Sequence, residues 1–139
     1  CAGIFVDNEK SWGFPEGSVE IKYGVIISTL TRNDDESPAK KAFTDYLKNK
    51  YKTIDNINTA WEVKVNNWSA IAKGIKLTAF TDSAVSDLSF MLEMLSEEYF
   101  KVVHDTLEQA LPNHLYMGAW QILVCQKKPL KRQLNTQTF

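Results

Sequence analysis

Two adjacent polar residues, Asn8 and Glu9, stand directly after a short apolar run near the start of the chain. The run, residues 4–6, is typical of a buried strand that ends abruptly in polar residues. In a parallel α/β barrel, the carboxyl ends of the strands carry the chemistry. An amide beside a carboxylic acid at that place suits sugar hydrolysis, in which one carboxyl group protonates the departing oxygen. The alternative is that Asp7, Asn8 and Glu9 only cap a turn.

The composition is that of one globular domain or of a piece of a larger one. The chain has 139 residues, of which 44% are hydrophobic and 12% aromatic, enough for a packed core. Cys1 and Cys125 are too few and too far apart for a disulfide framework or a zinc site. The chain opens with Cys1 inside an expected strand, and it shows neither a signal peptide nor an apolar run of membrane-spanning length. We therefore expect a fragment.

Charge is unevenly distributed along the chain, although the formal net charge is only −1. All 17 acidic residues lie at or before Glu108, whereas residues 121–139 hold four of the 16 Lys and Arg and no acid. Such a basic tail could contact nucleic acid or an anionic membrane. The tail is a single small cluster without interleaved aromatic residues, so we expect neither partner.

Helix signals divide the middle of the chain. A Ser-Pro pair at residues 37–38 opens a helix that continues through Tyr51. Thr53 caps a second, short helix that ends at Trp61. Residues 82–111 form one long helix with a broad apolar stripe. These signals predict an unusually large helical segment.

Several side chains near these helices have a plain structural interpretation. The acids at residues 34–36 precede a helix, where they favour its positive end more than they suggest a metal. Trp68 is expected in a loop, where packing is commoner than sugar stacking. His104 is expected to be structural, and no metal or cofactor is predicted. Five lysines are predicted to form a solvated helix face: Lys40, Lys41, Lys48, Lys50 and Lys52.

Residues 114–119 are predicted to form a second buried strand. The order of strand, several helices and strand predicts an α/β fold made of one enlarged βαβ unit. The helical insertion is expected on the same side as Glu9.

The sequence of residues 5–13, Phe-Val-Asp-Asn-Glu-Lys-Ser-Trp-Gly, resembles the general-acid segment of glycoside hydrolase family 50, the β-agarases. The resemblance extends over residues 3–119. Four further segments match that family in the same order: residues 37–43, 47–51, 58–61 and 112–118. An Asn-Glu pair alone is shared by the whole clan of retaining barrel glycosidases, so the ordered set of segments is the more specific signal.

Family 42, the β-galactosidases, is the alternative within the enzymes, because its members have a similar helix pair ending in Trp. Their Asn-Glu pair is usually followed by Tyr-Gly or Phe-Gly, and many carry a zinc-binding cysteine cluster. Here residues 10–12 are Lys-Ser-Trp, and no such cluster exists. An alternative of another class is a non-catalytic helical module whose basic tail binds a partner.

The resemblance implies a retaining hydrolase that cleaves the β-1,4-galactosidic bonds of agarose on a (β/α)₈ TIM barrel. Residues 1–119 would then be about strands 4 to 5 of the barrel with the helical insertion. Glu9 would be the general acid/base, Asn8 would bind the sugar 2-hydroxyl, and Trp12 would stack on a sugar. The nucleophile, a glutamate on strand seven, is not in this chain, because no acid follows Ala119. We therefore expect the chain to be inactive alone.

The resemblance also implies a location and a partner. The substrate would be agarose or agaro-oligosaccharides, and the parent enzyme would be secreted or periplasmic, since agarose is too large to import. Residues 120–139 depart from the family pattern. Codons can be chosen for these residues so that skipping two bases of the coding sequence gives a different amino-acid sequence. That shifted sequence reads as a turn, a capped helix and the start of a strand, which is what the family has at this point. We therefore expect the basic tail to be translated out of frame.

Overall fold

The structure is a computed structural model that describes residues 3–7, 12–13 and 16–118. This part of the chain is mostly helical, with one two-stranded parallel sheet. The elements, in chain order, are β1 (Gly3–Ile4), α1 (Val19–Lys22), α2 (Gly24–Leu30), α3 (Pro38–Tyr51), α4 (Ile54–Trp61), α5 (Trp68–Ala72), α6 (Asp82–Ala110) and β2 (Leu115–Tyr116). Among the described residues, none of the helices combines the length and the apolar character that crossing a bilayer requires.

The chain divides into two compact units. The helical unit is Gly17–Leu92, and the strand unit consists of Cys1–Glu16 together with Glu93–Phe139. The division falls within α6.

The predicted helix starts in the helical unit are confirmed. The Ser37 hydroxyl accepts a hydrogen bond from the backbone N–H of Lys40 at 3.3 Å, and Pro38 is the first residue of α3. The Thr53 hydroxyl accepts a hydrogen bond in the same way from the N–H of Asn56, and α4 begins at the next residue, Ile54. Each cap satisfies a backbone donor that has no partner inside its helix. Local sequence therefore determines where these two helices begin.

A largely apolar core joins the helices of the helical unit. Its members are Tyr23, Ile26, Leu30, Phe43, Leu47, Ile57, Trp61, Val63, Ile71, Ile75, Ala84, Leu88, Met91 and Leu92. Backbone hydrogen bonds connect distant parts of this unit as well: the N–H of Ile75 donates to the oxygen of Leu30 at 2.8 Å. The turn after α5 is thereby held against the end of α2.

The predicted solvated lysine face is wrong for Lys40. Its side chain is fully buried, and its ammonium group donates to Asp34 Oδ1 at 2.8 Å, to Thr44 Oγ1 at 2.8 Å and to the backbone oxygen of Ile71 at 2.7 Å. An ammonium group has three protons to donate, and all three are used. Asp34 therefore neutralises a buried charge, a more specific role than the predicted interaction with a helix dipole.

Three further expectations need correction. Trp68 does not lie in a loop, because it is the first residue of α5, whose cap is the side chain of Asn67. The two strands are shorter than the apolar runs at residues 4–6 and 114–119, because only two residues of each form the ladder. The long helix ends at Ala110. The two apolar runs are also less buried than predicted, because Phe5, Leu115 and Met117 are exposed.

Candidate active site

The strand unit brings the ends of β1 and β2 together. The strands are parallel, with Gly3 opposite Leu115 and Ile4 opposite Tyr116. Their carboxyl ends therefore lie at the same edge of the sheet. Asn8 and Glu9, the predicted sugar-binding and acid/base residues, follow β1 beyond this edge in the sequence, and both lie outside the described residues.

Backbone contacts fix the register of the two strands. The N–H of Met117 donates to the oxygen of Ile4 at 2.9 Å, and the N–H of Val6 donates to the oxygen of Gly118 at 3.1 Å. A Cβ atom on Gly3 would lie 2.5 Å from the sulfur of Met117, so no larger residue fits there without displacing that side chain. The sheet thus holds the chain securely up to Val6.

Trp12, the predicted sugar-stacking residue, packs against aromatic residues of α6. Its ring meets Tyr99 edge-on, with centroids 5.1 Å apart, and lies 6.3 Å from the ring of Phe100. Its indole N–H is buried and has no acceptor among the described residues. The observed contacts are those of a packing residue, and stacking on a sugar stays a prediction.

Two residues at the sheet were not predicted as site residues, since Asp7 was expected at most to cap a turn and Tyr116 to lie in the second strand. Asp7 has a left-handed backbone, with φ 65°. Tyr116 is only 8% exposed, and its hydroxyl has no partner among the described residues. Burial raises the pKa of Tyr116, and the negative charge of Asp7 raises it further. The sequence did contain a signal for the turn at Asp7. Asp is among the few residue types that tolerate a left-handed backbone, and this one directly precedes the Asn-Glu pair.

Three side chains of metal-ligand types lie close together on α6 in the strand unit. One ligand atom each from His104, Asp105 and Glu108 comes within 4.8 Å of the others, and Asp105 and Glu108 are exposed. His104 contacts Asp105 at 3.3 Å, and its ring lies 6.4 Å from that of Tyr116. These contacts suit the structural role predicted for His104. Exposed acids on a helix do not by themselves define a metal site.

The helical unit contains a buried carboxylate, Asp87, that the sequence analysis missed. It accepts hydrogen bonds from the hydroxyls of Tyr46 and Tyr51, each at 2.6 Å, from the indole N–H of Trp61 at 2.9 Å, and from the ammonium group of Lys50. Burial alone would raise the pKa of Asp87, but hydrogen bonds from Lys50, the two tyrosines and Trp61 lower it below its usual value. Lys50 is nevertheless exposed, as predicted for the solvated face, and reaches the buried carboxylate with its ammonium group.

The Asp87 network connects three helices. Burial raises the pKa of Tyr46 and Tyr51 and hydrogen bonding to Asp87 adds to this, so both remain protonated donors. Asp87 belongs to α6, its tyrosine and lysine donors to α3, and Trp61 to α4. These hydrogen bonds fasten the three helices to one another.

Comparison with known proteins identifies the class of protein. Residues 31–113 match the family model of glycoside hydrolase family 42, described as β-galactosidase. That match spans more than half of the chain, and the chain therefore belongs to this group of glycoside hydrolases. The matched range includes α3 and α4, the helix pair ending in Trp61 for which the sequence predicted a similarity to family 42.

The individual relatives are β-agarases. The chain is 43% identical over 118 residues to β-agarase B of Vibrio sp. (strain JT0107) and 35% identical over 122 residues to β-agarase A of the same organism. Each match covers 84% of the chain but only 12% of the relative.

Solved structures agree with these sequence matches. The agarase AgWH50C has a TM-score of 0.86 at 38% identity over 99% of the chain, and an exo-β-agarase has a TM-score of 0.85 at 38% identity over the same share. The chain covers 20% and 19% of these two structures. The resemblance to the family 50 β-agarases is confirmed, as a match to part of a larger enzyme.

Proposed function

We propose that this chain is part of a retaining glycoside hydrolase that cleaves the β-1,4-galactosidic bonds of agarose. The observation that carries the proposal is the parallel pairing of β2 with β1, the strand that precedes Asn8 and Glu9 in the sequence. Polar residues that follow the carboxyl end of a parallel strand are suitably placed for catalysis in a barrel. The identity to β-agarases over most of the chain supports the choice of substrate.

In this proposal, Glu9 works as the general acid and then as the general base. It first protonates the glycosidic oxygen as the bond breaks, and its ionised form then activates the water that releases the sugar from the enzyme. Asn8 binds the 2-hydroxyl of the sugar at the cleaved bond, where hydrogen bonds strengthen in the transition state. Trp12 stacks on a sugar of the bound chain. No cofactor takes part.

The second carboxylate of the mechanism comes from elsewhere in the full-length enzyme. A retaining hydrolase needs a nucleophile roughly 5–5.5 Å from the acid/base. The family pattern has it on barrel strand seven, whereas this chain covers strands four and five. Residues 1–139 thus hold one half of a two-carboxylate site and are inactive alone.

The fold that fits this function is a (β/α)₈ barrel, of which residues 1–119 form a part. One face of the strand pair supports this, because Phe5, Leu115 and Met117 are 47%, 50% and 40% exposed although they lie on or beside strands. Large apolar side chains on a sheet are normally covered. In a closed barrel they would point into its packed interior. The parent enzyme acts outside the cytoplasm, where its polymeric substrate is found.

Hydrolysis by the full-length protein tests the proposal. The wild-type protein should release oligosaccharides from agarose, and Glu9→Gln should lower kcat by about a hundred- to ten-thousandfold on this substrate, since it removes the acid/base. With an aryl glycoside, whose leaving group needs no protonation, the loss in bond cleavage should be much smaller. Glu16→Gln, an exposed acid nearby in sequence, is the control and should keep full activity. Equal losses on both substrates would argue against an acid/base role.

The second candidate is a β-galactosidase, which the family model favours by its description. Both candidates cleave a β-galactosidic bond, so the substrate distinguishes them. Hydrolysis of lactose with no release of sugar from agarose would favour the β-galactosidase. The tail at residues 120–139, which we propose to be out of frame, lies outside the described residues.

A further inference from the structure

The chain leaves the strand pair through residues with unusual backbones. Asp7 has φ 65° and Gly118 has φ 86°, both in the left-handed region. Glycine adopts this region readily, whereas for Asp it is uncommon. Residues held in such conformations cluster at functional sites, where the surrounding structure imposes them.

The backbone before Asp7 is held by two hydrogen bonds to residues that directly follow β2. Ile4 accepts from the N–H of Met117 at 2.9 Å, and the N–H of Val6 donates to Gly118 at 3.1 Å. Because Val6 is held, the dihedral angles of Asp7 determine the direction in which the next residues leave. An extended backbone at this position would continue the alternation of the strand, whereas a left-handed one turns the chain. The next two residues are Asn8 and Glu9.

We propose that Asp7 is a positioning residue for Glu9, acting through its left-handed backbone, which directs the chain out of the strand pair. This inference rests on the proposed function, in which Glu9 is the general acid/base. The side chain suits the task because Asp and Asn are enriched several-fold in this region over other non-glycine residues. A β-branched residue resists it most strongly.

A role for the Asp7 carboxylate itself is the competing explanation, because its charge acts on the nearby Tyr116. Substitutions at Asp7 separate the two. Asp7→Asn removes the charge and keeps the left-handed preference, and Asp7→Gly removes the whole side chain but permits the same backbone. Asp7→Val disfavours the left-handed backbone conformation and also removes the charge.

The experiment measures kcat, KM and Tm for the full-length protein and these three variants on agaro-oligosaccharides. We expect Asp7→Asn and Asp7→Gly to stay within about threefold of the wild-type kcat, since both preserve the turn. Asp7→Val should lower kcat by about ten- to a hundredfold at little-changed KM, because a small displacement of a catalytic group has that effect. Glu98→Val, an exposed acid on α6, should leave kcat unchanged.

Three outcomes would overturn the inference: wild-type kcat in Asp7→Val, an Asp7→Asn variant as slow as Asp7→Val, or a rise in KM without a fall in kcat. If Asp7→Val does not fold, Asp7→Ala replaces it, and a wild-type kcat in a folded Asp7→Ala has the same meaning. The proposed function fails separately: the wild-type protein would be inactive, or Glu9→Gln would be active, before any change at Asp7.

Discussion

At the scale of single residues, the helical unit depends on two buried charges, Lys40 and Asp87. Each is fully enclosed, and each has protein partners for its hydrogen-bonding groups. Removing one member of a buried ion pair leaves the other without compensation, which costs far more than losing a surface pair. The two residues therefore have a larger effect on stability than the other charges of their helices.

Neighbouring lysines provide a matched test of this difference. Lys40→Met should lower the free energy of unfolding by about 3 kcal/mol, because Asp34, Thr44 and the oxygen of Ile71 lose their buried donor. Lys41→Met should leave it unchanged within error, since Lys41 and its partner Asp45 are exposed. Urea unfolding of the full-length protein measures both. Equal stability of the two variants would show that the Lys40 contacts contribute nothing.

The Asp87 network should make stability depend on acidity in a defined range. Because the folded protein holds the pKa of Asp87 below its unfolded value, the stabilisation is present above about pH 4 and is lost as the pH falls through the folded pKa. Asp87→Asn should be less stable at pH 7 and should show a flatter fall in stability below about pH 4. Asp45→Asn, an exposed acid, is the control. Parallel acid-unfolding curves for the wild type and Asp87→Asn would contradict this linkage.

At the scale of elements, the backbone just after α5 packs closely against the backbone at the end of α2. Gly74 has φ 120°, and a Cβ atom there would lie 2.5 Å from the oxygen of Thr31. Gly74→Ala should therefore lower the Tm by several degrees, because both the conformation and the space are unfavourable. Gly24→Ala, in α2 with nothing within 4 Å, should leave the Tm unchanged or raise it slightly. A Tm for Gly74→Ala equal to that of the wild type would contradict the crowding.

What the sequence could predict was local. Ser37 and Thr53 cap their helices through side chains three residues from the N–H groups they satisfy, so short motifs sufficed. The burial of Lys40 could not be predicted, because its hydrogen-bond partner Ile71 is 31 residues away in the sequence. Asp87 was missed for the same reason, since its partners are 26 to 41 residues away. Tertiary partners, invisible to periodicity, decide whether a charged residue on a helix is solvated.

At the scale of the whole molecule, the exposed apolar face of the strand pair should limit the solubility of the isolated chain. Phe5, Leu115 and Met117 present a large apolar surface, which favours association. The isolated chain should bind a hydrophobic dye and aggregate. Leu115→Lys should reduce both but should destabilise the full-length protein, where barrel closure would bury that side chain. Val102→Lys, an equally exposed position on α6, is the comparison and should have less effect on the full-length protein. Equal effects of the two substitutions there would argue against barrel closure over this face.

The central claim is that Glu9 is the general acid/base of a retaining agarase, and azide rescue tests it most directly. Glu9→Ala in the full-length protein is assayed on an aryl β-glycoside of neoagarobiose with and without azide. Azide needs no general base, so it should restore turnover and give a β-glycosyl azide, with the anomeric configuration retained. An α-glycosyl azide would identify Glu9 as the nucleophile instead. Absence of rescue, or full activity of Glu9→Ala on agarose itself, would contradict the assignment of Glu9.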